Sequence, residues 1–495
     1  MWKYILKRIL IFIPTLIIIS LLTFWLSTNA PGDPVEQMLG GIMGSEGRTT
    51  DFMATEQAYM EQRKKLGLDL PLFYIALQPL SVPDTFYRIP RKKHQEVLRR
   101  LIAQLGNWEY IQNYYLKLKD AQRLLFNLPS GGPFRKYRGR AYEIINELFL
   151  TYDTVKIGFY TTLLTVTADS FAYEFSKLAT DTNLIKNPVQ EKSAIEEFRK
   201  ASRELRNAYL DMINNPEVWK NYVPTIHWYG TKNQYHRWIS GFIVGDFGIS
   251  YVDKRPVAEV IKDAVKWTAL INIISVILIY LIAIQAGVYS AVKAGSFQDQ
   301  ILTVVLYILY SLPNFWIATL LIMFFGGGAY FDWFPAFGVS SLPETAPLWQ
   351  RIIDVAHHLI LPVIALTYPA LAFLAKQMRG AMIQVLKEDY IRTAYAKGLP
   401  DKVVIWKHAF RNSLLPIITL FANVFPFMIS GSFVIEYIFS IPGMGKESYD
   451  AIMSRNYPVV YTVVMLVSIL TLVGYLVADI LYALVDPRIS YSKKR

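Results

Sequence analysis

Apolar positions in this chain gather into six long blocks: Ile9–Leu26, Trp267–Ala291, Ile301–Phe325, Leu359–Ala375, Leu414–Ile435 and Val459–Leu484. A helix of about 20 apolar residues crosses a bilayer core of roughly 30 Å, so each block reads as a membrane span, the fourth being the shortest. The first block follows Lys3, Lys7 and Arg8, exceeds a signal-peptide core, and lacks a small-residue cleavage site. It is expected to persist as a transmembrane helix with residue 1 in the cytoplasm. Six crossings return the C-terminus to the same side. The basic residues agree, because Lys293, the Lys376–Arg411 stretch and Arg488, Lys493, Lys494 and Arg495 all fall there. The opposite short loops, near 326–357 and 436–458, carry only Arg351, Lys446 and Arg455.

The connection between the first two blocks is far too long for a plain loop. Residues 91–128, 141–179 and 193–213 each space apolar residues at helical intervals, for example Val97, Leu98, Leu101, Ile102 and Leu105. The break LPSGGP at 128–133 separates the first two stretches. The run at 155–168 is too short and too rich in Thr for a span. A mainly helical extracytoplasmic insertion is therefore expected at about 81–235. Neither an internal repeat of useful period nor a low-complexity tract interrupts the pattern.

Composition supports an integral membrane protein: 53% of the 495 residues are hydrophobic and 18% charged. Much of the formal net charge of +12 flanks apolar blocks, which points to topology and contact with membrane lipid and not to nucleic acid. With no cysteine, disulfides, thiolate metal sites and cysteine nucleophiles are excluded. The six histidines include no metal-ligand motif, and no GxxxxGK[ST] loop exists to hold ATP phosphates. The chain is expected to be a non-enzyme without a cofactor of its own.

One polar segment is trapped between two blocks: EDYIRTAYAKGLPDKVVIWKHAFRNSLLP, Glu388–Pro416. Gly398 suits the left-handed residue that closes a helix, and Pro400 the first turn of the next, so AKGLP is expected to join two short helices at a sharp angle. On the second helix Val403, Trp406, Phe410 and Leu414 fall near one face, with Lys402, Lys407 and Arg411 elsewhere. Two readings follow: an amphipathic helix resting on lipid headgroups, or a docking element for a cytoplasmic partner.

This segment resembles the EAA loop of ABC-importer permeases, in the variant of the peptide/nickel (oligopeptide/dipeptide, microcin-type) permease family. The matching residues are Asp389, Tyr390, Ile391, Arg392, Thr393, Ala394, Ala396, Lys397 and Gly398, then Lys407, His408, Ala409, Arg411, Asn412 and Leu415-Pro416. The chain departs at Tyr395, where a second arginine is usual, and at Lys407, where arginine is usual. Arg392 stands where the general loop has glutamate, as in others of this subclass. The likeness continues in APGDP (30–34), LGLD (66–69), GDFGISY (245–251), FSIPGMGK (439–446), RNYPVV (455–460) and DILYALVDPRI (479–489). FFGGGAYFDWFP (324–335) is closer to the microcin/peptide subgroup.

The resemblance implies an all-α integral membrane protein of six transmembrane helices, the ABC type I importer permease fold. Domains are expected as an N-terminal transmembrane helix (1–28), an extracytoplasmic region (29–266), a permease core (267–486) with a coupling loop (388–416), and a cytoplasmic tail (487–495). It implies a permease subunit of a bacterial ABC importer translocating peptides across the inner membrane, with both termini cytoplasmic. Implied partners are a second homologous permease, two cytoplasmic ATP-binding subunits that bind the ATP, and an extracytoplasmic substrate-binding protein. Coupling contacts are expected from Asp389, Tyr390, Arg392, Thr393, Ala394, Ala396, Lys397, Gly398, His408, Arg411, Asn412 and Pro416. The insertion departs from the family and is expected to contact the binding protein or cap the translocation mouth.

Two alternatives remain: an ion-coupled secondary transporter, which needs buried mid-membrane charges scarce in these blocks, and a membrane-anchored interaction protein using its outer domain. Other motifs have structural readings: APGDP and PGMG (442–445) as turns, His357-His358 as interfacial packing, Asp479 and Asp486 as hydrated or paired with Arg488, and Pro416, Pro426 and Gly431 as kinks.

Overall fold

The computed structural model describes residues 2–29, 33–35, 52–129, 131–132, 134–178, 188–326 and 330–485. Ala30–Gly32 of APGDP, residues 327–329 of FFGGGAYFDWFP, and Asp486, Arg488 and the basic tail lie outside the described residues. The chain forms two compact units, Met1–Ala30 with Gly241–Arg495, and Pro31–Ser240.

After the apolar α1 (Trp2–Asn29) come α2 (Phe52–Lys65), strand β1 (Ile75–Pro79) and five helices: α3 (Lys92–Leu105), α4 (Trp108–Leu125), α5 (Phe134–Leu150), α6 (Thr154–Leu178) and α7 (Pro188–Asn214). Strand β2 (Pro224–Trp228) then pairs antiparallel with β1, from Ile75↔Trp228 to Pro79↔Pro224. The helical bundle thus fills the place of a hairpin loop. The stretches 91–128 and 141–179 each hold two helices. Gly106, at φ +71°, closes α3 in the left-handed conformation, and Thr151–Asp153 separate α5 from α6. The Thr-rich run belongs to α6, where Thr161 and Thr165 donate to carbonyls four residues back and the helix packs into the bundle core with Leu118, Ile145 and Phe198.

Inside that bundle His94 stacks on Phe149 with ring centroids 4.5 Å apart, and its Nδ1 lies 3.0 Å from the Tyr115 hydroxyl. Burial, reinforced by the cations Arg91 and Lys119, lowers its pKa from 6.5 to about 3. The folded bundle therefore holds His94 neutral. Its contribution is complete above pH 6.5 and is lost as pH falls toward 3, by about 1.4 kcal/mol per pH unit. Amide protection across α3 and α4, corrected for the slower intrinsic exchange at lower pH, is expected to fall between pH 6.5 and pH 5, a window above the ordinary carboxylate range, and His94→Leu should flatten that slope. An unchanged slope in the variant would contradict the assignment.

The unit that contains α1 resumes at Gly241, near the end of α8 (Gln234–Ile243), and continues through α9 (Val257–Val292), α10 (Phe297–Ser311), α11 (Asn314–Phe325), α12 (Leu348–Leu386), α13 (Asp389–Ala396), α14 (Phe410–Phe421), α15 (Val424–Ser430), α16 (Phe433–Ile438), α17 (Met444–Met453) and α18 (Tyr457–Val485). Among the described residues five segments are long and apolar enough to cross a membrane, or six when α10 and α11 count as one. That pair is bent by 93°, whereas the apolar pattern reads as one straight span. Pro313 causes the break: it lacks an N–H and holds Leu312 in extended backbone at ψ 126°. The fifth span is likewise divided, between α14 and α15 and again at Gly431, which takes φ +64°.

α9 has 36 residues and α12 has 39, so at 1.5 Å per residue both reach about 55 Å, well beyond a bilayer core. They pack through small residues, Ala283, Gly287 and Ala291 on α9 against Ala372 and Ala375 on α12. A Cβ on Gly287 would lie 2.6 Å from the Ala375 carbonyl oxygen and from the Met378 Cβ. Only glycine allows that approach.

Candidate coupling site

α12 runs straight into the polar segment. Glu388, extended at ψ 147°, caps α13, and the helix ends at Lys397–Gly398, with Gly398 at φ +76°. The Gly398 N–H donates to the Tyr395 carbonyl at 2.9 Å and the Lys397 N–H to Thr393 at 3.1 Å. Pro400 then caps a single α-helical turn, Asp401–Val403, followed by a π-helix, Val404–Ala409, and α14. The second short helix expected from sequence is thus the entry to the fifth span.

The π-helix also moves the apolar face. Instead of Val403, Trp406, Phe410 and Leu414, the fully buried positions are Val404, Ala409 and Ser413, while Trp406 is exposed. A wider turn spaces inward residues by five, and an even 3.6-residue period cannot show this.

α13 is sharply two-sided. Ile391 (1% exposed) and Ala394 face a cluster with Met378 and Met382 of α12, Val404 and Ala409 of the π-helix, and Ile417 of α14. The Ser413 hydroxyl donates to the Met382 sulfur at 2.9 Å. The other face exposes Asp389, Tyr390, Arg392, Thr393, Tyr395, Ala396 and Lys397. Asn412 Nδ2 donates to the Tyr390 hydroxyl at 2.7 Å, which ties α13 to α14, and the Thr393 hydroxyl donates to the Asp389 carbonyl at 2.9 Å. Arg392 lies 3.7 Å from Asp389 with both side chains almost fully exposed, a pair of negligible energy. His408 is half-buried, Arg411 and Asn412 are exposed, and Pro416 lies exposed within α14. Of the expected contact residues, the fold brings Tyr390 and Asn412 together, buries Ala394, and leaves the charged ones free to meet another surface. The anchors Ile391, Val404 and Ala409 were not among those expected contacts; the three-residue spacing of Ile391 and Ala394 was the available signal.

The remaining motifs have structural partners. His358 Nε2 lies 3.0 Å from the Ser341 hydroxyl and His357 Nε2 lies 2.8 Å from the Trp333 carbonyl. Asp479 pairs with Arg8 of α1 at 3.1 Å, where sequence reading offered hydration or Arg488. Buried charge is less scarce than the apolar blocks suggest, because the helices outrun them: Asp299 and Glu436 are buried on α10 and α16, and half-buried Arg379 lies on α12. Each is held. Glu436 accepts from the Thr268 hydroxyl at 2.8 Å and the Lys446 N–H at 2.9 Å, and Asp299 pairs with Arg379 at 2.7 Å.

The membrane unit is a multi-pass helical body that carries a short amphipathic helix, α13, anchored on one face and bare on the other. Residues 283–491 match the family described as binding-protein-dependent transport system inner membrane component. The chain belongs to this family, as an inner-membrane permease component of an ABC transporter. It is 42% identical over 259 residues to the oligopeptide transport system permease protein AppB of Bacillus subtilis, covering 52% of this chain and 80% of that protein. It is 37% identical over 260 residues to the inner membrane ABC transporter permease protein YejB of Escherichia coli O157:H7, covering 52% and 71%. Against the glutathione transport system permease protein GsiC of Escherichia coli K12 the identity is 34% over 259 residues, covering 52% and 79%.

Proposed function

We propose that this chain is the translocating subunit of an ATP-driven importer of peptides, moved by separate ATP-binding subunits that grip α13. The observation that carries this is the two-sidedness of α13: Ile391 and Ala394 fix it to the membrane body while Tyr390, Arg392, Tyr395 and Lys397 stand bare. An anchored helix transmits a push only when the spans joined to it move as packed bodies. The names of the relatives support a peptide or small peptide-like substrate. The complete transporter would contain a second homologous permease, two ATP-binding subunits and an extracytoplasmic substrate-binding protein. Both termini would be cytoplasmic, and ATP would be bound and hydrolysed by the partners alone.

Co-purification with an ATP-binding subunit tests this. Arg392→Glu changes only an exposed side chain, so folding should persist while the complex weakens about tenfold. Gly398→Val, which forces a β-branched residue to positive φ, should act more strongly. Unaltered association and ATP-dependent uptake in both variants would overturn the reading, and uptake driven by an ion gradient without ATP would favour a secondary transporter.

The 31–240 unit gives a second test. Because the Leu80 N–H donates to the Val223 carbonyl at 2.8 Å, just beyond the paired Pro79 and Pro224, residues 81–222 can be replaced by an Asn-Gly turn that closes the hairpin. In our reading the insertion meets the binding protein. The shortened chain should retain its ATP-binding partners but lose about tenfold in affinity for the binding protein. Unchanged affinity and unchanged uptake would refute that role.

A further inference from the structure

Helix α12 carries two cations one turn apart, the exposed Lys376 and the half-buried Arg379, and both reach α10. The Lys376 ammonium lies 4.6 Å from the centre of the Tyr307 ring. Arg379 donates Nε to Asp299 Oδ1 at 2.9 Å and an Nη to Oδ2 at 2.7 Å, a bidentate pair. Asp299 is only 3% exposed and its oxygens are saturated: the Ser290 hydroxyl of α9 donates to it, as do the Gly295 N–H at 2.9 Å and the Thr303 hydroxyl at 3.4 Å. Its own N–H donates to the capping Ser296 hydroxyl. One carboxylate therefore joins α9, the tight turn at Gly295, α10 and α12. The same turns of α12 present Met378 and Met382 to Ile391 and Ala394 of α13.

We infer that Asp299 and Arg379 form the joint through which displacement of α13 is passed from α12 to α9 and α10. The two are positioning residues. The inference rests on the reading of α13 as the driven element. The physical reason is geometric. Bidentate pairing fixes both distance and rotation, whereas apolar packing between α10 and α12 alone lets the helices slide. A buried carboxylate with five donors is costly to pull apart, because separation leaves a charge without partners. The joint should therefore stay closed throughout the transport cycle while the spans it connects move together.

The test uses the complete complex in proteoliposomes, with ATP hydrolysis and uptake measured together. Asp299→Asn with Arg379→Gln keeps neutral hydrogen bonding but removes the charge-assisted fork. ATP-binding subunits should still co-purify and hydrolyse ATP at near the wild-type rate, while uptake per ATP falls about tenfold. A merely stabilising pair would lower both activities in step with the amount of folded complex, and an unchanged uptake-to-hydrolysis ratio overturns the joint.

A second measurement leaves the joint intact and does not depend on the folding of that variant. The chain contains no cysteine, so single cysteines at the exposed positions Phe297 and Gly380 give clean spin-label sites. Their separation should be the same in nucleotide-free and ATP-trapped complexes, and a shift of several Å would overturn the inference. Failure of α13 as the drive shows differently, as wild-type complex without ATP-dependent uptake, and that result would overturn the joint with it.

Discussion

Gly445→Ala is expected to prevent most of the chain from reaching a folded state. A Cβ at this position would lie 2.5 Å from the Phe433 amide nitrogen and 2.9 Å from the Ser432 carbonyl carbon, backbone atoms that cannot rotate away. Gly431 and Gly443 crowd the same spot: a Cβ on Gly443 would meet the Glu436 carboxylate and the Thr268 hydroxyl, both at 2.6 Å. At the centre Glu436 is 4% exposed, and the Thr268 hydroxyl that donates to it accepts from the Met444 N–H at 2.7 Å. The PGMG turn is thus a packed knot that seats the start of α17 against α9. Overpacking it should cost about 3 kcal/mol or more, because neither backbone nor buried carboxylate can yield. Gly380→Ala is the matched control: nothing lies within 4 Å of its Cβ position, and alanine improves helix propensity by about 1 kcal/mol. Thermal unfolding of the two variants in detergent, with the yield of monodisperse protein, checks the contrast.

Ile391→Asp should abolish ATP-driven uptake while leaving the spans folded. Ile391 is 1% exposed in the cluster formed by Met378, Met382, Ala394, Val404 and Ala409. A carboxylate there has no partner, so α13 must leave its seat, at a cost of several kcal/mol. The cluster reaches the α9–α12 interface through Met378, but the closest approach there, Gly287 on Ala375 and Met378, involves no residue of α13, so the spans should stay packed. Ile391→Val, which removes a single methylene, should cost about 1 kcal/mol and retain most uptake. Measuring uptake alongside co-purification of the ATP-binding subunit separates the two, and normal coupling in Ile391→Asp would show that the seat of α13 carries no force.

The architecture was legible where one physical signal dominates. Apolar blocks announced the spans, and the polarity of 388–416 between two of them marked the site. Gly398 and Pro400 announced its turn, and the structure has Gly398 at φ +76°. The rest depended on partners distant in sequence. The hairpin pairs Ile75 with Trp228 across an intervening helical bundle, and Asp299 meets Arg379 from another helix, 80 residues away. Neither residue of such a pair carries a local signature. Glu436 escaped because it follows the end of an apolar block and is buried by close approach of glycines, not by periodicity. The π-helix at Val404–Ala409 escaped because spacing arguments assume one helical period throughout. Pro313 did signal its break, yet the unbroken apolar run around it read as a single straight span.

The choice between a helix resting on lipid and a helix gripped by a partner turns on what touches the bare face of α13. Tyr395 is on that face and 44% exposed, in a chain without cysteine. A cysteine placed there and armed with a short photo-crosslinker, in the intact complex within its membrane, reports the contact directly. The account predicts an adduct with the ATP-binding subunit that forms in one nucleotide state more than in another. Adducts with lipid alone would contradict it.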